Sequence, residues 1–302
     1  MGPEGELAEI LAEVRRVEVM GRRLAGGVMS GNYGSVFRGA GIEFDDVREY
    51  EEGDDPRSID WGVTARTGRP FIRRYMDERE RMVLFLLDLS PSMAGGFGPW
   101  SARQTAARVA ACLALSAARN HDRVGLLGFG KGVESFVPPR RGPGHVLRIV
   151  RDCLALPFRP GGTDLVPALE FAESTVRSHA IVFVLSDFLC EGWERAMFRC
   201  ARRHDVVAVR LLVPELELPE AGLLRIRDPE SGRESVIDAG SPRVRREVAA
   251  AVDRWRTATA LAIRRSGADR MDVPVPRRAS PAAVAGPILR FFRMRELRGA
   301  RR

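Results

Sequence analysis

Asp88-Leu89-Ser90-Pro91-Ser92 sets one carboxylate and two small hydroxyls at alternate positions of a five-residue stretch. Such a string can do either of two things. It can cap a following helix, where side-chain oxygens take up free N–H groups, or it can present hard oxygen donors to a small cation. Two later stretches bear on the choice: Gly161-Gly162-Thr163-Asp164 ahead of a helical segment, and Ser186-Asp187-Phe188 at the end of an apolar run. Taken singly, Thr163 reads as a helix N-cap and Asp187 as a polar strand terminus. Taken together, Asp88, Ser90, Ser92, Thr163 and Asp187 are five oxygen donors with no His or Cys among them. That set suits Mg²⁺, with Mn²⁺ as the alternative, in octahedral geometry at ~2.0–2.1 Å, and disfavours zinc. If the hydroxyls touch the ion while the aspartates act mostly through water, no anion lies against the metal. One position then stays electrophilic toward a carboxylate from another molecule.

Residues so far apart in the chain meet only if the fold brings them together. From Met82 onward, short β-branched and leucine-rich runs alternate with alanine-rich helical stretches, which predicts an α/β domain with a doubly wound, mostly parallel sheet. Strands are expected over 82–88, 123–129, 133–137, 180–186, 206–213 and near 271–275. Helices are expected over 101–120, 144–156, 164–178, 191–203, 242–266 and 281–297. Ligand sites of open α/β sheets collect beyond the carboxyl ends of the strands, and the three oxygen-bearing stretches all fall there. Between Leu223 and Asp238 two alternating segments flank the turn residues Asp228-Pro229-Glu230-Ser231-Gly232, predicting a hairpin at the sheet edge within an insertion at about 216–240. The main domain spans 81–297, followed by a basic tail over 298–302. Residues 1–80 form an appended module, with a helix over Glu4–Ala25 and then a glycine-containing stretch rich in acids and arginines.

Composition narrows the function classes. The 302 residues are 45% hydrophobic and 29% charged, enough to bury a core. The formal charge is +8, yet Lys131 is the only lysine among the 48 basic residues and aromatics make up 7%. Arginine is suited to bidentate pairing with the 40 acids, so a nucleic-acid adaptor is a weak reading. No apolar run approaches the roughly 20 residues of a membrane helix, and no export signal heads the chain, so a cytoplasmic location is expected. The four cysteines form no CxxC pair and are expected as reduced thiols. A metal-dependent phosphoester hydrolase could use Asp88 as nucleophile, but Ser90 stands where its partner acid would be. There is no GxxxxGK[ST] loop and no GxSxG. His121, His145, His179 and His204 fall in or beside helices and loops remote from Asp88, as surface or helix-end residues.

The five donors, in this order, resemble the metal-ion-dependent adhesion site of von Willebrand factor A domains, with a match at every position. Upstream, 39–50 (GAGIEFDDVREY), 53–61 (GDDPRSIDW) and Thr64-Ala65-Arg66 look like the signature of the bacterial family known as domain of unknown function fifty-eight. The resemblance covers roughly residues 30–297. It implies a non-catalytic, metal-ion-dependent protein-interaction module. It also implies a partner among the MoxR-type AAA+ ATPases and a client protein that supplies an acidic side chain. Membrane helices found in many such proteins have no counterpart in Glu4–Ala25. Within the upstream string, acids alternating with Arg38, Arg48, Arg57 and Arg66 predict an ion-pair network, with Phe44 and Trp61 as apolar anchors.

Overall fold

The computed structural model describes residues 46–51, 54, 59–74, 81–159, 161–278 and 280–299. Helix Glu4–Ala25, Phe44, Arg38, Arg57 and most of the upstream signature lie outside the described residues, as does the tail beyond 299. The chain divides into two compact units, one within Arg38–Glu80 and the other holding everything from Arg81 onward.

In the smaller unit, β1 (Asp46–Glu49) pairs antiparallel with β2 (Phe71–Arg74). Between them lies α1 (Trp61–Thr67). Asp60, one of the acids of the upstream string, is the N-cap: its Oδ1 accepts from the N–H groups of Gly62 at 2.9 Å and Val63 at 3.1 Å. Gly68 ends the helix at φ +73°, a left-handed conformation that glycine adopts without penalty. Trp61, expected as an apolar anchor, is 71% exposed, because a seven-residue helix without buried positions offers it nothing to pack on.

The larger unit is built on a six-stranded sheet. Its strands are β3 (Met82–Asp88), β4 (Arg123–Phe129), β5 (Val133–Arg140), β6 (Ala180–Ser186), β7 (Asp205–Leu212) and β10 (Asp269–Pro274). Their spatial order is β10-β7-β6-β3-β4-β5, and all neighbours are parallel except β4 and β5. Strand β3 is buried on both faces, as continuous apolar runs in parallel sheets are. Val83, Phe85 and Leu87 point into one core cluster, and Leu84 and Leu86 into the other. The first cluster receives α2 (Ala102–Arg119), α3 (Pro143–Ala155) and α7 (Pro281–Gly299), while the second receives α4 (Val166–Thr175), α5 (Glu194–Arg203) and Ile263 of α6 (Pro242–Arg265). Helices therefore cover both faces.

The boundaries follow local chemistry. Ser101 and Gln104 form a capping box that starts α2. Helix α4 begins at Val166, two residues later than the sequence predicts, because Asp164 Oδ1 accepts from Val166 N–H at 2.9 Å and holds the preceding loop out of the helix. The predicted hairpin is present as β8 (Leu223–Arg227) and β9 (Glu234–Asp238), a two-stranded sheet of its own. The chain runs from β3 to β4 and β5 on one side, then returns to β6, β7 and β10 on the other. The order reverses at β3 and β6, which is where open α/β sheets form a ligand crevice.

Candidate functional site

Asp88 is the last residue of β3, and Ser186 the last of the neighbouring β6. Parallel pairing puts both ends at one edge of the sheet. Asp88 is fully buried; its Oδ1 accepts from Ser90 N–H at 2.9 Å and its Oδ2 from the Ser186 hydroxyl at 2.6 Å. The turn after Asp88 leads into a short 3-10 segment, Pro91–Ala94, where Ser90 is the cap residue but makes no side-chain capping bond. Its hydroxyl meets the Ser92 hydroxyl instead, at 3.0 Å. Helix capping thus does not account for the hydroxyls of this string.

Asp187 follows β6 and is 2% exposed. Its Oδ1 accepts from Leu189 N–H at 3.0 Å, while its Oδ2 is buried with no hydrogen-bond partner. Phe188 beside it sits at φ +60°, a left-handed conformation costly for an aromatic residue. It is held there by its own N–H bond to the Ser186 hydroxyl at 2.9 Å and by edge-on packing against Trp193 at 5.4 Å. This turn aims the Asp187 carboxylate back toward Ser92.

The electrostatics are unfavourable to anions. Burial first, and the Asp187 carboxylate second, push Asp88 up to about 7, against the downward pull of the bonds from Ser186 and Ser90. Asp187 is raised as well, chiefly by burial, with Glu230 adding to the rise and the Ser92 hydroxyl and Leu189 N–H opposing it. Among the described residues, no arginine or lysine forms an ion pair with either aspartate. An orphaned buried carboxylate oxygen, a second buried carboxylate and a facing pair of hydroxyls are a donor set that a hard divalent cation fits. Among the described residues no group of three or more His, Cys, Asp or Glu is arranged as a metal cluster. A cation here would therefore depend on hydroxyl ligands as well as acids.

The structure thus brings Asp88, Ser90, Ser92 and Asp187 together. Thr163 is half-buried on the loop before α4 and does not cap that helix, whose first turn is served by Asp164. The loop is tied to the same sheet edge, since Asp164 N–H donates to the Gly130 carbonyl just past β4 at 2.9 Å. Gly161 and Gly162, at φ +108° and +95°, let the loop turn there. Two participants escaped the sequence reading. Ser186 could have been suspected as a strand-terminal hydroxyl next to Asp187. Glu230 carried no local signal; it sits 138 residues from Ser92, whose N–H donates to its Oε1 at 3.1 Å.

Of the four histidines, His204 departs from expectation. It ends α5 but is buried, neither ring nitrogen has a hydrogen-bond partner, and burial pushes its pKa down to about 4. Cys112, Cys153 and Cys200 are buried free thiols, each pushed up to about 12 by burial. No helix among the described residues is long and apolar enough to cross a membrane.

A family model described as "Protein of unknown function DUF58" matches residues 46–258. An uncharacterized protein of Mycobacterium tuberculosis, Rv1480, is 31% identical over 275 residues, spanning 89% of this chain and 86% of the relative. Its counterpart Mb1516 of Mycobacterium bovis has the same identity and coverage. Among solved structures, an aerotolerance-related membrane protein from Bacteroides fragilis matches at a TM-score of 0.47 and 16% identity, over 71% of this chain and 99% of that one. The hypothetical protein BatB from Bacteroides thetaiotaomicron matches at 0.42 and 14%, over 72% and 99%.

Proposed function

The chain belongs to the DUF58 family, and from that premise and the site above we propose that it is a protein-interaction module that captures a partner's acidic side chain through a bound Mg²⁺. Mn²⁺ is the alternative ion. The observation that carries the reading is the orphaned Oδ2 of Asp187, buried beside the Ser90 and Ser92 hydroxyl pair and facing a second buried carboxylate. Ser90 and Ser92 would hold the ion, with Asp88, Asp187 and Thr163 completing its surroundings. The cation would supply a Lewis-acidic position for a carboxylate. The chain's own residues do the rest. Ser186 and Ser90 N–H orient Asp88, the left-handed turn at Phe188 orients Asp187, and the two strand ends set the distance between them.

The likeness to von Willebrand factor A adhesion sites supports this reading, and the family resemblance supports a MoxR-type AAA+ ATPase or its client as the partner. The hydrolase reading gains less support: Ser90 stands where the partner acid of a nucleophilic Asp88 would be. The test is calorimetric Mg²⁺ titration of wild type and Asp88→Ala, joined to a pull-down from cell extract with and without EDTA. Mg²⁺ binding lost in the variant, and an ATPase or its client retained only without EDTA, are the expected results. A wild-type protein that takes up no divalent ion would overturn the proposal.

A further inference from the structure

The tip of the β8–β9 hairpin ends in the site. Asp228 builds that tip: its N–H and carbonyl bond the Arg233 carbonyl and the Gly232 N–H, both at 2.8 Å. Its side chain accepts from Glu230 N–H at 3.0 Å and from the Ser231 hydroxyl, and Gly232 turns the chain back at φ +71°. Glu230 is thereby held forward. Its Oε1 accepts from Ser92 N–H at 3.1 Å, and its Oε2 is buried without a hydrogen-bond partner. A third carboxylate at this point is unfavourable by itself, because Asp88 and Asp187 already repel each other and Glu230 adds to the field on Asp187. Among the described residues no basic side chain forms an ion pair with any of the three. The three acids do not form a metal cluster by themselves, but Glu230 reaches the Ser92 backbone beside the hydroxyl pair, and it and Asp187 each keep an orphaned buried oxygen, which is what a hydroxyl-held cation and its last ligand would leave to view.

We propose that Glu230 is the site's resident ligand: the chain places its own acid where a partner's carboxylate would bind, and the hairpin must withdraw before a partner engages. This rests on the metal-site reading above and adds its regulation. The hairpin is suited to leave. It forms no ladder with the central sheet, and Leu223 and Val236 on its strands are 75% and 64% exposed, so little apolar burial is lost when it moves. A tip that fills the site nine-tenths of the time would weaken an incoming acid about tenfold.

Mn²⁺ is the probe, because water-proton relaxation counts the waters on the bound ion, and acetate stands in for the partner's carboxylate. Full-length wild type, Glu230→Ala, Glu230→Gln and Asp88→Ala are compared. Expected is Mn²⁺ binding in all but Asp88→Ala, and about one extra coordinated water in both Glu230 variants. Acetate should displace that water from Glu230→Ala at a concentration about tenfold below the one needed with wild type. If wild type and both Glu230 variants bind Mn²⁺ with the same water count and the same acetate affinity, the resident-ligand proposal is overturned and the metal site stands. If wild type binds no Mn²⁺, or Asp88→Ala binds it as well as wild type does, the site reading falls and the resident ligand with it.

Discussion

Two acidic positions of one sheet are treated in opposite ways. On β10, Asp272 meets the buried Arg210 of β7 in a two-pronged pair at 2.9 and 3.1 Å, and the remaining guanidinium nitrogen donates to the Arg256 carbonyl at 2.7 Å. At the ends of β3 and β6, Asp88 and Asp187 are buried more deeply and have no such partner among the described residues. Arg103 is close enough for Asp88 to affect its charge, but its nitrogens are engaged by the carbonyls of Cys153 and Leu156 and its guanidinium stacks on Phe158 at 4.7 Å. The contrast locates charge that the fold does not neutralise from within. An acid matched to an arginine serves the architecture, whereas acids left to face each other store unfavourable energy that an external cation can release.

The contrast can be broken at either end. The largest effect is expected from Arg210→Met, which removes the buried partner of Asp272, leaves it only the more exposed Arg270 at 3.3 Å, and should lower unfolding free energy in urea by about 3 kcal/mol with Mg²⁺ binding intact. Next comes the ion itself: Mg²⁺ at a hundred times its dissociation constant should stabilise wild type and Arg210→Met alike by about 2.7 kcal/mol, and Asp88→Ala not at all. Asp187→Asn should have the reverse sign in EDTA, raising stability by about 1 kcal/mol because it removes a repelled buried charge, while abolishing the gain from Mg²⁺. Ser101→Ala breaks the α2 capping box and should cost about 1 kcal/mol with the Mg²⁺ gain unchanged, separating loss of fold from loss of site.

The smallest net change is in the pH profile of the wild type, where two contributions of opposite sign meet. His204, held neutral with its pKa pushed down to about 4, leaves the unfolded chain binding more protons between roughly 4 and 6.5, so its contribution makes stability rise with pH across that window. Asp88, pushed up to about 7, leaves the folded protein binding more protons between roughly 4 and 7, so its contribution makes stability fall as pH rises. In EDTA the two oppose each other. Denaturation midpoints should climb more steeply with pH in Asp88→Asn and fall more steeply in His204→Gln; unchanged slopes in both would show that neither group is perturbed by burial.

Much of the frame was legible because its signals are local. Strands 82–88, 123–129 and 180–186 fall where the apolar runs put them, and Ser101 and Asn120 flank the predicted α2. The α4 start was misplaced because Asp164 satisfies a backbone N–H from outside the helix, a contact that residue periodicity does not report. The burial of His204 was missed for the same reason: a helix-terminal histidine has no sequence mark for what packs over it. At the site, the sequence singled out Asp88, Ser90, Ser92, Thr163 and Asp187 as a donor set; the structure brings Asp88, Ser90, Ser92 and Asp187 together and leaves Thr163 on the loop before α4, whereas Glu230 looked like one turn residue among five.

The sequence by itself determined the alternation of elements and the supply of hard oxygens at strand ends, since hydropathy period and ligand chemistry belong to each residue and its near neighbours. Only the tertiary structure decided which of those oxygens are already spent on hydrogen bonds, which are orphaned, and that a hairpin tip 138 residues away reaches Ser92. Desolvation and like-charge repulsion act through space over a few ångströms, and those distances exist only once the sheet has brought the ends of β3 and β6 side by side.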